Sequence, residues 1–313
     1  MSVSPQHYAS FLERMGHTVR QVHDLWWFNS SRGVYTCFPF DRESDAAGLP
    51  IREILKRDGL AVRFACPLSQ GIPSFRIVCR DRNYDLPALR SRTRTQVRRG
   101  LEACAVERVD FAVLRKSAIP LNADTLIRQG RRVPQNLESY WQKYFAEAAR
   151  TEGAEAWAAF TDGQLAAYLI AFTVADVTNL LIVRSSLDHL AKFPNNALLF
   201  RFLHDRLRDP QISQVVYGYE SIKPGLESLD QFKTGMGFEQ VAVGQRIELT
   251  GWVQPLINRF TTPTALRILQ RYGRGETLAK LQGLLTWYSR QPLRADMAAC
   301  TSELPVTSPR AAA

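Results

Sequence analysis

Tyr217, Tyr219 and Glu220 stand together at the end of SQVVYGY, an apolar run over residues 213–219 that reads as a strand. A tyrosine can donate a proton to a leaving group or align an acceptor. A glutamate can accept the proton of an amine, directly or through water. Strand alternation sends both tyrosines to one face and Glu220 to the other; the tyrosines also suit core packing. Upstream, Asn195 and Asn196 open a helical pattern with Leu199, Phe202, Leu203 and Leu207 on one face. The first N–H groups of a helix are unpaired and point outward, so an anion can dock there. Asn195 or Asn196 can cap that end, its side-chain oxygen accepting an N–H two or three residues on. Lys192 adds charge beside it, or is simply a solvated lysine.

A second set is cationic. Arg90, Arg92, Arg94, Arg98 and Arg99 lie on one helical stretch with no acid from Leu86 to Leu101. Like charges so spaced repel one another. They are either a solvated face whose acids come from elsewhere in the fold, or a contact for phosphate on a nucleotide-linked substrate, tRNA or an anionic membrane. The net charge of +10 fits anionic partners without choosing among them.

The elements that must position these residues follow from periodicity. Residues 177–186 (VTNLLIVRSS) are apolar and β-branched, a buried strand. A loop leads to the helix at Pro194-Asn195-Asn196, which stops before Pro210. The strand at 213–219 follows, then Leu226, Leu229, Phe232 and Met236 at helical spacing, ending on Gly237. This is a βαβ layout with two parallel strands side by side and a helix N-terminus at the carboxyl end of the first. Just before it, strands at 157–160 and 164–174 are joined by Asp162-Gly163, both tolerant of positive φ. With 177–186 they make a three-strand antiparallel meander. Residues 136–150 form an amphipathic helix on Leu137, Tyr140, Trp141, Tyr144, Phe145 and Ala148, closed by Gly153.

Toward the N-terminus, helical periodicity covers 8–22, with Phe11, Leu12, Met15 and Val19 on one side. The aromatic run at 25–40 suits core strands or a substrate wall. A short helix at 51–57, strands at 61–66 and 74–80, a helix within 84–104, a strand at 105–114 and a connector at 117–134, helical at most from Asn122 to Arg132, complete this part. Beyond 249, Thr262-Pro263 starts a helix carrying Leu266, Ile268, Leu269 and Tyr272. Residues 276–290 form another, with Leu278, Leu281, Leu285 and Tyr288 on one side. From Gly251 to Arg294 there are seven Lys/Arg and one acid. Such an extension is a helical pair with a basic outer face, or a peripheral membrane or partner surface.

At 313 residues, 45% hydrophobic and 22% charged, the chain can bury a large core in one large or two smaller domains. No apolar run reaches the eighteen residues a membrane span needs, and MSVSPQHYAS has no secretion signal. Cys37, Cys66, Cys79, Cys104 and Cys300 show no CxxC spacing, and the five histidines are dispersed. A metal site and a disulfide framework are not expected, and a reducing, cytoplasmic compartment is. No G-x-S-x-G, Walker A or G-x-G-x-x-G pattern appears.

In order and spacing, residues 177–238 resemble the acetyl-CoA-binding half of the GNAT N-acyltransferase fold. The match is closest to the branch of FemAB-like peptidoglycan aminoacyltransferases and the BioF2-like acetyltransferase domain. The residues that carry it are the strand at 177–186, Pro194-Asn195-Asn196-Ala197-Leu198-Leu199, Tyr217-Gly218-Tyr219, and Phe232-Lys233-Thr234-Gly235-Met236-Gly237-Phe238. The resemblance covers 137–249 and, more loosely, 84–114. It implies an α/β fold: a GNAT-like mixed sheet flanked by helices, in one lobe or two tandem lobes, with a C-terminal helical extension. The expected division is a diverged GNAT-like lobe at 1–116, an acyltransferase lobe at 117–250, a basic amphipathic extension at 251–300 and a disordered tail at 301–313.

GNAT enzymes wrap the cofactor pyrophosphate in a Gln/Arg-x-x-Gly-x-Gly/Ala loop. Residues 187–197 contain no glycine, a departure that moves the resemblance toward the FemAB-like branch. The implied catalytic residues are Tyr217, Tyr219 and Glu220. The implied cofactor contacts are Lys192, Asn195, Asn196, Ala197 and Lys233, and the implied substrate contacts Arg94, Arg98, Arg99 and Lys223. The expected activity is transfer of an acyl group from acetyl-CoA or another acyl-CoA to an amine. The alternatives are an aminoacyl-tRNA-dependent transferase and a non-catalytic module on an anionic partner. The acceptor is a small-molecule or cell-envelope precursor amine; tRNA or an anionic membrane are further partners, and specific DNA binding is not expected. The location is cytoplasmic, with the inner face of the membrane as a peripheral site.

Overall fold

The computed structural model describes residues 3–220, 227–257, 261–272 and 276–292. Eleven strands form one sheet: β1 Val19–Val22, β2 Leu25–Ser31, β3 Val34–Phe38, β4 Ala61–Cys66, β5 Ile72–Cys79, β6 Ala105–Val109, β7 Ala154–Thr161, β8 Gln164–Val174, β9 Val177–Ser185, β10 Gln214–Tyr219 and β11 Glu239–Leu249. The helices are α1 Pro5–Met15, α2 Ile51–Leu55, α3 Ser91–Ala103, α4 Phe111–Ser117, α5 Ile119–Arg128, α6 Leu137–Ala149, α7 Pro194–Arg208, α8 Glu227–Gly235, α9 Thr262–Tyr272 and α10 Glu276–Arg290.

The strand order is β1-β2-β3-β4-β11-β5-β10-β9-β8-β7-β6. Among the described residues only β3/β4 and β9/β10 pair in parallel. Outward from the central antiparallel pair of β5 and β11, the two sides repeat one pattern: an antiparallel neighbour, its parallel partner, then antiparallel strands. Each side is completed by a strand from the other part of the chain, since β11 pairs with β4 and β5 pairs with β10. This is the GNAT-like mixed sheet that was expected, with helices on its faces. The expected meander is present as β7-β8-β9, and its turn holds Asp162 at φ +52° and Gly163 at φ +77°.

Two large cores lie on the sheet. One joins α3 and α7 to the strands, with Val97, Leu198, Phe202, Leu203, Met236 and Phe238 buried in it. The other is aromatic and brings α1 and α6 together across Tyr8, Phe11, Phe38, Phe145 and Phe172. The run at 25–40 supplies the strands β2 and β3; Trp27, Tyr35 and Phe38 are fully buried.

Several elements differ from their sequence patterns. The helix expected over 8–22 ends at Met15, because Gly16, at φ +98°, caps it by donating to the Glu13 and Leu12 carbonyls. Val19 therefore starts β1. The strand expected over 105–114 stops at Val109, where Asp110 accepts from the Ala112 N–H at 2.7 Å and caps α4. The helix allowed from Asn122 to Arg132 in the connector is α5, which starts earlier, at Ile119, and ends at Arg128. On α10, Leu281 is 41% exposed, while Leu284, Trp287 and Tyr288 pack against the sheet. Lys223 and the tail at 301–313 lie outside the described residues. Among those described, no helix is long and apolar enough to cross a membrane.

Candidate functional site

Pairing between the parallel strands β9 and β10 ends at Asn179 and Val216. Each strand carries an irregularity just beyond. On β9, Ile182 faces Ile170 and Leu180 faces Ala171, so Leu181 is the extra residue of a bulge. On β10 the register against β5 shifts between Val216 and Tyr219, where Gly218 adopts φ +96°. A side chain rarely takes that conformation, which makes glycine the fitting residue. The bends let the strands part and free backbone groups toward the gap.

Three polar side chains from three elements lie near one another beside this gap. Lys233 of α8 places its Nζ 4.7 Å from the Tyr217 ring centroid and 3.3 Å from Asp230 Oδ1. Tyr217 of β10 packs edge-on against Phe238, centroids 5.5 Å apart. Arg184 of β9 donates to the Val183 carbonyl at 2.9 Å and sits 5.7 Å from the Trp141 ring centroid. Burial holds Arg184 and Lys233 below their usual pKa values and raises Tyr217 well above 10.0, against the pull of the Arg184 charge. Tyr217 therefore keeps its proton at neutral pH. Two desolvated cations and a phenol suit an anionic group or a developing oxyanion.

Tyr219 and Glu220 go elsewhere. The bulge at Gly218 breaks the alternation that would have put both tyrosines on one face. Tyr219 donates its hydroxyl proton to the Phe40 carbonyl. The Glu220 carboxylate accepts from Ser74 Oγ at 2.7 Å, and Ser74 Oγ accepts from Gln245 Nε2 at 2.7 Å. Arg63 donates to Gln245 Oε1 and, at 3.1 Å, to the Glu220 carbonyl. Glu220 is thus tied to a network spanning β4, β5 and β11.

The start of α7 is built differently from the expectation. Phe193, at φ +55°, holds the N-cap position and Pro194 takes the first helical place, so neither Asn195 nor Asn196 caps. Proline needs no N–H partner there, which fixes the helix start one residue early. The N–H groups of Asn196 and Ala197 both donate to the Phe193 carbonyl, at 3.1 and 3.2 Å. Asn195 Nδ2 donates to Ser185 Oγ at 3.0 Å, which also accepts from Arg128 Nη1 at 3.1 Å. Asn196 is buried beside Met236 and Gln96. Lys192 pairs with Asp162 at 2.7 Å.

Over this first turn lies α3. A Cβ on Gly100 would stand 2.7 Å from the Phe193 carbonyl oxygen and 3.0 Å from Ala197 Cβ, so the two helices touch backbone to backbone. The N–H groups of Asn196 and Ala197 are thus used within the helix, and α3 packs on that side of the turn. Arg94 turns back to the Leu89 carbonyl at 3.0 Å, while Arg98 and Arg99 are exposed. Basic groups thus flank the α7 start on both sides, from α3 and from Arg128.

Sequence reasoning passed over Arg184, Arg128 and Trp141 as site residues. Arg184 had a readable signal, a lone cation inside the buried strand VTNLLIVRSS. Arg128 had none, because its role depends on how α5 meets β9.

No family model and no curated protein matches this chain. Solved structures do. FemX aligns at TM-score 0.57 and 13% identity over 80% of this chain and 92% of FemX. The C-terminal domain of a protein assigned as a lysylphosphatidylglycerol synthetase from Agrobacterium fabrum aligns at 0.53 and 12%, over 76% of this chain and 86% of that one. L-PGS from Bacillus licheniformis aligns at 0.51 and 14%, over 88% and 98%. At these identities the likeness is one of fold.

Proposed function

We propose that this chain, which has the FemAB-like GNAT fold, is an acyltransferase that takes an aminoacyl group from an ester donor, an aminoacyl-tRNA, to an amine acceptor in the gap between β9 and β10. The observation that carries the reading is α3 lying on the first turn of α7, where an acyl-CoA would need its pyrophosphate held. The exposed Arg98 and Arg99 on that same helix suit a polyphosphate donor instead. The reading takes residues 117–250 as the acyltransferase lobe and 1–116 as its diverged partner, each completed across the sheet by β5 or β11.

The neutral amine attacks the ester carbonyl, and the C–O bond to the leaving alkoxide breaks as the amide C–N bond forms. Arg184 and the backbone N–H groups freed at the splay stabilise the oxyanion. Tyr217 gives its proton to the leaving alkoxide, and the proton lost from nitrogen returns to Tyr217 through water. The raised pKa of Tyr217 fits an alkoxide, whose basicity approaches that of hydroxide, better than a thiolate, whose conjugate acid has a pKa of about 8.5. Lys233 sets the electrostatics of the Tyr217 ring, and Glu220 positions the end of β10.

The name lysylphosphatidylglycerol synthetase states a lipid acceptor for that protein, and FemAB-like enzymes act on cell-envelope precursors. By this likeness the acceptor here is an amine on an envelope precursor or a lipid, met at the inner face of a membrane.

Incubation with a mixture of radiolabelled aminoacyl-tRNAs and, separately, calorimetric titration with acetyl-CoA test the reading. Release of label from tRNA without saturable thioester binding is expected. Saturable acetyl-CoA binding that weakens on Asn196→Asp would return the donor site to the α7 start and overturn it.

A further inference from the structure

The segment after β11 presents two faces. Residues 250–257 form helical turns, with the Gln254 N–H donating to the Thr250 carbonyl and the Ile257 N–H to the Val253 carbonyl. Val253 and Ile257 consequently share the inner side and pack with Leu284, Trp287 and Tyr288 around Ile247 and Leu249. Gln291 grips Ile247 through both its backbone groups, at 3.0 and 2.7 Å. Trp287 lies 5.4 Å from the Arg63 guanidinium. The inner side is therefore fully engaged.

Large apolar side chains of these turns, of α9 and of α10 face solvent. Trp252 is 63% exposed, Leu256 66%, Ile268 55% and Leu281 41%. Leu60 is 42% exposed, and its carbonyl accepts from the Thr250 N–H at the start of this segment. Arg267 and Arg271 are exposed on α9 beside Ile268, and the sequence from Gly251 to Arg294 carries a net +6. Large apolar side chains, one of them tryptophan, set among arginines match the boundary of a lipid bilayer with anionic headgroups.

We propose that the face formed by Trp252, Leu256, Ile268 and Arg267 docks on an anionic lipid bilayer. The apolar side chains enter the acyl boundary and Arg267 meets the headgroup phosphates. This surface accounts for the membrane location in the proposed function. Binding requires no donor or acceptor, so it stands or falls separately from the transfer reaction.

The test is co-sedimentation of the full chain with phosphatidylglycerol vesicles and with phosphatidylcholine vesicles, at low and high salt. Partition to phosphatidylglycerol that falls with salt is expected, with little to phosphatidylcholine. Arg267→Glu weakens it about fivefold or more, and Trp252→Ser with Leu256→Ser at least about tenfold. All three side chains are exposed, so unchanged thermal melts confirm intact folds. Three results would overturn the proposal: no partition of the full chain to phosphatidylglycerol vesicles, unchanged partition of either variant, or a vesicle-free dimer that Trp252→Ser abolishes.

Discussion

Tyr217 and Tyr219 are two residues apart and differ in what they touch. One glycine decides this. With Gly218 at φ +96°, the strand inserts a residue against β5 and turns Tyr217 toward Lys233 and Phe238, Tyr219 toward the Phe40 carbonyl. Under the proposed mechanism, Tyr217→Phe lowers kcat for aminoacyl transfer about a hundredfold. It leaves stability near the parent's, because no described hydrogen bond is lost. Tyr219→Phe does the reverse. It strands the Phe40 carbonyl and costs about 1–3 kcal/mol of stability, with kcat near the parent's. Steady-state transfer and urea midpoints on both variants check this; equal losses of kcat would mean that both hydroxyls serve the reaction.

At the scale of elements, the contact between α3 and α7 carries the proposed choice of donor. Gly100 permits it. In an exposed helix, Gly→Ala would gain about 1 kcal/mol of propensity. Here the added Cβ meets a backbone oxygen at 2.7 Å, which no side-chain rotation relieves. Overpacking of that kind costs about 1–3 kcal/mol, so it outweighs the propensity gain. Gly100→Ala is expected to lower the urea midpoint at unchanged m-value, and Gly100→Leu to lower it further. A midpoint raised by Gly100→Ala would show that the helices can separate freely. The helix at 84–104 and its arginines were readable from the sequence, but the side that faces α7 was not. Val97 and Gly100, three residues apart, mark that side, and their significance depends on a partner about a hundred residues away.

At the scale of the molecule, the interleaved strands bind the two sides into one folding unit. Removing β11 would bare the edges of both β4 and β5, and with them a row of unpaired backbone groups on each side. The full chain is expected to unfold in urea in one transition, coincident by tryptophan fluorescence and far-UV circular dichroism. A chain ended after Phe238 is expected not to fold. Two separated transitions, or a folded truncated chain, would show that the sides are independent.

The sequence by itself determined the elements whose signals are local. The Asp162-Gly163 hairpin, the buried strand at 177–186, the helix from Pro194 and the amphipathic helix at 136–150 each rest on turn chemistry or side-chain period within one short window. Those signals also carried the resemblance to the GNAT fold. Where a local pattern ran past a stop signal it misled: Gly16 ended a helix that periodicity continued, and Asp110 turned a strand into a cap. The tertiary structure alone decided the exchange of β5 and β11, the covering of the α7 start by α3, and the meeting of Arg184, Tyr217 and Lys233. Each joins parts of the chain far apart in sequence. Their energies arise from backbone pairing, close approach and desolvation between those parts, which no local period or turn residue encodes.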